Sequence, residues 1–159
     1  MGVSIRDLVP SKEIELSYLS QKIVAIDTYN LLYQFLTTIR SRDGSLLTDT
    51  NGRVTSHLVG LFSRTSHFLD KGIKPVFVFD GVAPTLKHRE QQRRQEVKKE
   101  AEQKYKIAVE KQDMDGMKKY AARTAKLSKD MVEEAKELIE AMGLPIVQAP
   151  SEGEAQTAY

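Results

Sequence analysis

The chain has 159 residues, 40% of them apolar, with a net charge of +2, which suffices for one globular domain with a core. It contains no cysteine, so disulfides, thiolate zinc sites and a cysteine nucleophile are excluded. No apolar run approaches the roughly 20 residues needed to cross a bilayer, and the first residues lack the basic-then-apolar layout of a signal peptide, so no membrane role is expected and the expected location is the cytoplasm.

In chain order, residues 22–27 form a short apolar run ending in Asp27, the pattern of a strand buried on both faces of a parallel sheet. Leu31, Leu32, Phe35, Leu36 and Ile39 follow at helical spacing, and Asp43-Gly44 marks a turn. Thr55 or Ser56 can cap a second helix with an apolar face of Leu58, Leu61, Phe62, Thr65, Phe68 and Leu69, stopped by Gly72. Residues 75–81 read as a second buried strand that also ends in an acid, Asp80. From about 86 to 126 the chain is polar, charged and rich in helix formers, broken near Asp113-Met114-Asp115-Gly116, which reads as two helices projecting from the domain. A helix from about Ser128 to Met142, stopped by Gly143, leads to a third strand at 144–147 and to the start of a last helix after Ala149 and Pro150. This alternation predicts an α/β fold with a parallel sheet and right-handed connections.

The charge is unevenly divided. Residues 84–129 hold 14 Lys plus Arg against 7 Asp plus Glu, a balance of +7 that leaves −5 for the rest of the chain. A basic arm on an acidic body suits a protein that grips polyanionic nucleic acid with one part and holds cations with another. The three histidines, His57, His67 and His88, have no paired ligand spacing and read as surface or packing residues rather than zinc ligands.

Open parallel sheets bind ligands at the carboxyl ends of their strands. Three predicted strands carry acids to that edge: Asp27, Asp80, and the pair Glu152 and Glu154. Gathered carboxylates repel one another and are neutralised by cations, and oxygen-only ligation favours magnesium or manganese over zinc. Each acid also has a structural reading. Asp27 and Asp80 could be turn or cap residues, and Ser151 with Glu154 fits a capping box, which leaves Glu152 unexplained. The spacing alone supports metal-dependent phosphoryl chemistry, in which two ions about 4 Å apart activate water and stabilise the phosphate in flight.

Ala25-Ile26-Asp27, Tyr33-Gln34-Phe35-Leu36, Thr55-Ser56-His57-Leu58, the run from Gly72 through Asp80-Gly81, and Ala149-Pro150-Ser151-Glu152-Gly153-Glu154-Ala155 resemble the motifs of the flap endonuclease family, its archaeal members in particular. The likeness covers residues 1–159. It implies the N-terminal part, and the start of the intermediate part, of a PIN-like 5′ nuclease domain with a basic helical arch inserted at about 84–129. The implied activity is metal-dependent 5′ flap endonuclease and 5′-3′ exonuclease cleavage of DNA in replication and repair, at a junction of single strand and duplex. Asp27, Asp80, Glu152 and Glu154 match the family's magnesium cluster of two ions, where manganese can substitute, and the aspartates that complete it lie beyond the sequence given. Lys87 and Arg94 match basic residues that steer the scissile phosphate, Tyr33 matches a tyrosine that stacks on a base, and Gly2 matches a residue whose freed amine lies near the active site. The family also implies a sliding clamp as partner, bound through a C-terminal motif. Two other readings compete: a non-catalytic DNA-binding fragment of such an enzyme, and a PIN-type ribonuclease.

Overall fold

A computed structural model describes residues 12–82, 88–121 and 124–158. After a 3-10 turn at Leu16–Leu19, the described elements are β1 (Ile23–Asp27), α1 (Thr28–Thr38), α2 (Ser56–Asp70), β2 (Lys74–Phe79), α3 (His88–Glu110), α4 (Met114–Ala121), α5 (Lys129–Ala141), β3 (Ile146–Gln148) and α6 (Gly153–Ala158). The strands form a parallel sheet in the order β1-β2-β3. Its register places Asp27 beside Val78, and Phe79 beside Gln148. Every strand therefore ends at the same edge.

The core explains why β2 reads so clearly in the sequence. As the central strand it has a neighbour on each side, and Phe77, Val78 and Phe79 are buried. Phe77 and Phe79 point to one face and pack with Leu32 and Phe35 of α1, Leu61 of α2, and Val132, Ala135 and Ile139 of α5. Burying a Phe side chain contributes about 1.5–3 kcal/mol, so this pair anchors the helices to the sheet. β1 departs from the expectation of burial on both faces. Ile26 packs on the core, while Ile23 is 74% exposed and Ala25 is also exposed. The cause is its edge position, since α1, α2 and α5 cover the face carrying Ile26 and Phe77.

Helix ends follow local chemistry, with one correction. Ser128 caps α5 by accepting the Met131 N–H at 3.2 Å, and Gly143 leaves the helix with φ +71°. Gly72 likewise ends α2 in the left-handed region, φ +70°, where glycine carries no Cβ penalty. At the start of α2, however, the Thr55 hydroxyl makes no capping bond, and the Ser56 hydroxyl accepts the N–H of Leu47 at 2.8 Å instead. The buried face of α2 also differs from the expected one. Phe62 and Leu69 are exposed, while His57, Gly60, Leu61 and Thr65 are buried. The row at 57, 61 and 65 faces inward, and Gly60 is needed because a Cβ there would overlap the Phe35 ring of α1 and the side chain of Ile39 just after it.

Between β2 and α5 the chain forms α3 and α4, which pack on each other. The break falls at Gln112, with φ 52°, and at Asp113, whose carboxylate accepts the Gly116 N–H at 3.0 Å to start α4. Among the described residues no helix is long and apolar enough to cross a membrane.

Candidate metal centre

β1 runs directly into α1, and Asp27 stands at the joint. Its Oδ1 accepts the Asn30 N–H at 3.1 Å and so caps the helix. The capping reading and the ligand reading are compatible, because a carboxylate has a second oxygen. Asp80 follows β2 by one residue and reaches across the chain: its Oδ1 accepts the Gly153 N–H, the first of α6, at 2.6 Å. Gly153 is buried, and a Cβ there would stand 2.7 Å from Asp80 Oδ1.

Further bonds lace the segment after β3 to the segment after β2. Ala149 N–H donates to Phe79 O at 2.8 Å, Gly81 N–H to Ser151 O at 2.5 Å, the Ser151 hydroxyl to Val82 O at 3.0 Å, and Gln148 Nε2 to Asp80 O at 2.6 Å. Gly81 permits this approach, since a Cβ would run into the Ala149 carbonyl and the Pro150 backbone. The result corrects the capping-box reading. α6 starts one residue later than a Ser151 cap would set it, the Ser151 hydroxyl donates to Val82, and the first helical N–H goes to Asp80. Glu152 precedes that amide, half-buried, and its carbonyl accepts the Gln156 N–H, whereas Glu154 lies exposed in the first turn of α6.

Asp27, Asp80 and Glu152 thus belong to three segments that meet at one sheet edge. Among the described residues no three acids, histidines or cysteines stand close enough together to hold one ion. Gly2 and Lys87 lie outside the described residues, as does the side chain of Arg94, whose backbone belongs to α3. Tyr33 is on α1 and 38% exposed as a residue, and the ammonium of Lys98 from α3 stands 5.2 Å from its ring centre.

Sequence reasoning missed several neighbours of this edge. Tyr29, in the first turn of α1, sets its ring edge-on to Phe79, 6.1 Å between centres at 79°. Burial raises the Tyr29 phenol above its ordinary pKa, and the charge of Asp80 raises it further. Lys136 of α5 holds its ammonium 5.4 Å from the Phe79 ring centre and 3.0 Å from Glu133. Farther away, His57 is fully buried, with Nε2 3.1 Å from Glu134 of α5. Desolvation pulls its pKa down and Glu134 opposes that shift, so the expectation of a packing histidine holds for His57, which ties α2 to α5.

Parallel strands leading acids to one edge define an α/β domain of the 5′ nuclease type, and solved structures share its fold. Flap endonuclease-1 from Methanococcus jannaschii matches with a TM-score of 0.69 at 47% identity, covering 99% of this chain and 50% of that one. The catalytic core of Rad2 in complex with DNA substrate matches with a TM-score of 0.56 at 28% identity, covering 92% and 36%. The chain belongs to the family of XPG N-terminal domains, whose model matches residues 3–101. Flap endonuclease 1 of Ignicoccus hospitalis is 60% identical over 163 aligned positions that include the whole of this chain. The chain spans 47% of that relative's length.

Proposed function

We propose that this chain carries the first half of the active site of a divalent-metal-dependent 5′ flap endonuclease, which also acts as a 5′-3′ exonuclease on DNA in replication and repair. The observation that supports this most is the bond from Gly153 N–H to Asp80 Oδ1, which brings the Glu152 segment to the carboxylate edge shared by Asp27 and Asp80. The donor chemistry fits a hard cation. Asp27 and Asp80 each use Oδ1 for a backbone amide, which orients the carboxylate and leaves Oδ2 toward a ligand. Asp27, Asp80, Glu152 and Glu154 would hold magnesium, or manganese in its place, in a two-ion site completed by the remainder of the enzyme. When bound, such ions supply an activated water and charge stabilisation at the phosphate.

The chain's own residues supply the rest. Residues 84–129 form the arch that grips phosphates. Within it Lys87 and Arg94 steer the scissile phosphate, which makes them catalytic contacts. Tyr33 offers an exposed ring for base stacking, worth about 1–3 kcal/mol, and Gly2 adds a contact near the active site. The substrate is DNA with a 5′ flap or a junction of single strand and duplex, the partner in the cell is a sliding clamp, and the place of action is the cytoplasm.

The test is incision by the intact protein that carries this sequence. With magnesium it is expected to cut a 5′-flap DNA at the junction, to lose that activity in chelator, and to leave single-stranded RNA largely intact. Cutting that persists in chelator, or preference for RNA, would overturn the proposal. Binding of flap DNA without any cutting would mark a non-catalytic binding module instead.

A further inference from the structure

The proposed nuclease uses Asp27 at the joint of β1 and α1 and Tyr33 farther along the helix, and assigns nothing to Tyr29 between them. Tyr29 lies in the first turn of α1, four residues before Tyr33, so the two rings share a helix face about 6 Å apart along the axis. Its ring is fixed from below by edge-on contact with Phe79, which is fully buried and immediately precedes Asp80. Tyr29 as a residue is half-buried and packs against the core, and it lies within electrostatic reach of Asp80, Lys136, Glu133 and Tyr33. Two of these belong to α5, where Glu133 and Lys136 pair at 3.0 Å. The hydroxyl therefore sits among charges of both signs at the carboxylate edge. Packing on Phe79 alone would be served equally by phenylalanine, which has no oxygen to desolvate. A phenol carries one hydrogen to donate, and no hydrogen bond joins the Tyr29 hydroxyl to another described residue.

We propose that Tyr29 is a substrate-contacting residue, whose hydroxyl donates a hydrogen bond to a non-bridging oxygen of the phosphodiester held at Asp80. This rests on the nuclease reading above. Its chemical requirement is narrow: a ring to reach the edge and a hydroxyl to donate there. Lys136, whose ammonium stands 5.4 Å from the centre of the same Phe79 ring, brings a positive charge to this neighbourhood, shared with Glu133.

The test is Tyr29→Phe in the intact protein, followed by single-turnover cleavage of flap DNA at saturating magnesium. Loss of a hydrogen bond to a charged group is expected to slow the cleavage step about 10- to 100-fold. Flap affinity, the magnesium concentration for half-maximal rate and the melting temperature should stay near those of the parent. Tyr29→Leu, which also removes the ring, should cut no faster than Tyr29→Phe while melting lower. With a single phosphorothioate at the scissile position, the Tyr29→Phe penalty should shrink for one diastereomer, because sulfur accepts hydrogen bonds weakly. A parent-like cleavage rate for Tyr29→Phe, or an equal penalty for both diastereomers and the natural phosphate, overturns the assignment. Failure of the underlying nuclease reading is read separately, as parent-like cutting by Asp80→Asn.

Discussion

Asp80→Asn is expected to slow magnesium-dependent incision on the order of 10³-fold, or about 4 kcal/mol of transition-state stabilisation, while flap-DNA affinity changes little. The substitution is chosen for what it preserves. Asp80 Oδ1 accepts the Gly153 N–H at 2.6 Å, and the amide oxygen of asparagine can accept the same bond. α6 therefore stays docked on the sheet edge and the fold is retained. What disappears is the negative charge that would hold a divalent ion, together with one anionic oxygen able to ligate it. Asp80→Ala would be a poorer probe, since it also frees the Gly153 amide, a buried donor whose loss of partner costs about 1–3 kcal/mol. Single-turnover rates and equilibrium affinities on one flap substrate, with melting temperatures alongside, separate the two effects. Parent-like cutting would remove Asp80 from the metal site.

The second large effect concerns the basic insertion. Replacing residues 84–129 by a short linker removes a net +7 and is expected to weaken flap-DNA binding by on the order of 10² at low salt. It should also flatten the salt dependence. Each phosphate contact contributes about 0.7 to the slope of log K against log salt on single strands and about 0.9 on duplex, so losing four contacts lowers the slope by roughly 3. The sheet should survive the deletion, because the buried cluster is drawn from α1, α2, α5 and β2 and none of it from α3 or α4. The melting temperature should fall, however, since Leu127, packed against that cluster, and the Ser128 cap of α5 are lost with the arm. Affinity measured at four or five salt concentrations checks this. An unchanged slope with intact folding would place the DNA grip elsewhere on the chain.

The sheet was legible in the sequence because its central strand is apolar on both faces from Pro75 to Phe79 and is followed at once by Asp80-Gly81. Asp27 and Asp80 stand out for the same reason, since each closes an apolar run, whereas Glu152 and Glu154 follow Ala149-Pro150-Ser151 and are marked only by their place after the third strand. Less could be read where one chemical group serves two purposes. β1 resembles β2 in composition, yet its edge position leaves Ile23 and Ala25 in solvent, and nothing local distinguishes edge from centre. On α2 the apolar count favoured Phe62 and Leu69, whereas the buried row includes His57 and Gly60. His57 is inside because Glu134, 77 residues away, meets it. Gly60 is inside because the Phe35 ring needs the space. The cap of α6 is hidden for a related reason: the local pattern offers Ser151 as one reading, while the fold supplies Asp80 from 73 residues away. Tyr29 carried no signal at all, as a lone tyrosine early in a helix becomes informative only once Phe79 and Asp80 are placed beneath and beside it.

The most direct measurement of the central claim is manganese anomalous scattering from crystals of the intact protein bound to flap DNA. The expected result is a peak at the carboxyl edge of the sheet, within direct ligand distance of Asp80 Oδ2 and reached by Asp27 and Glu152 directly or through water. A protein that cuts DNA in manganese, yet shows no peak at that edge or shows its metal elsewhere, would contradict the account.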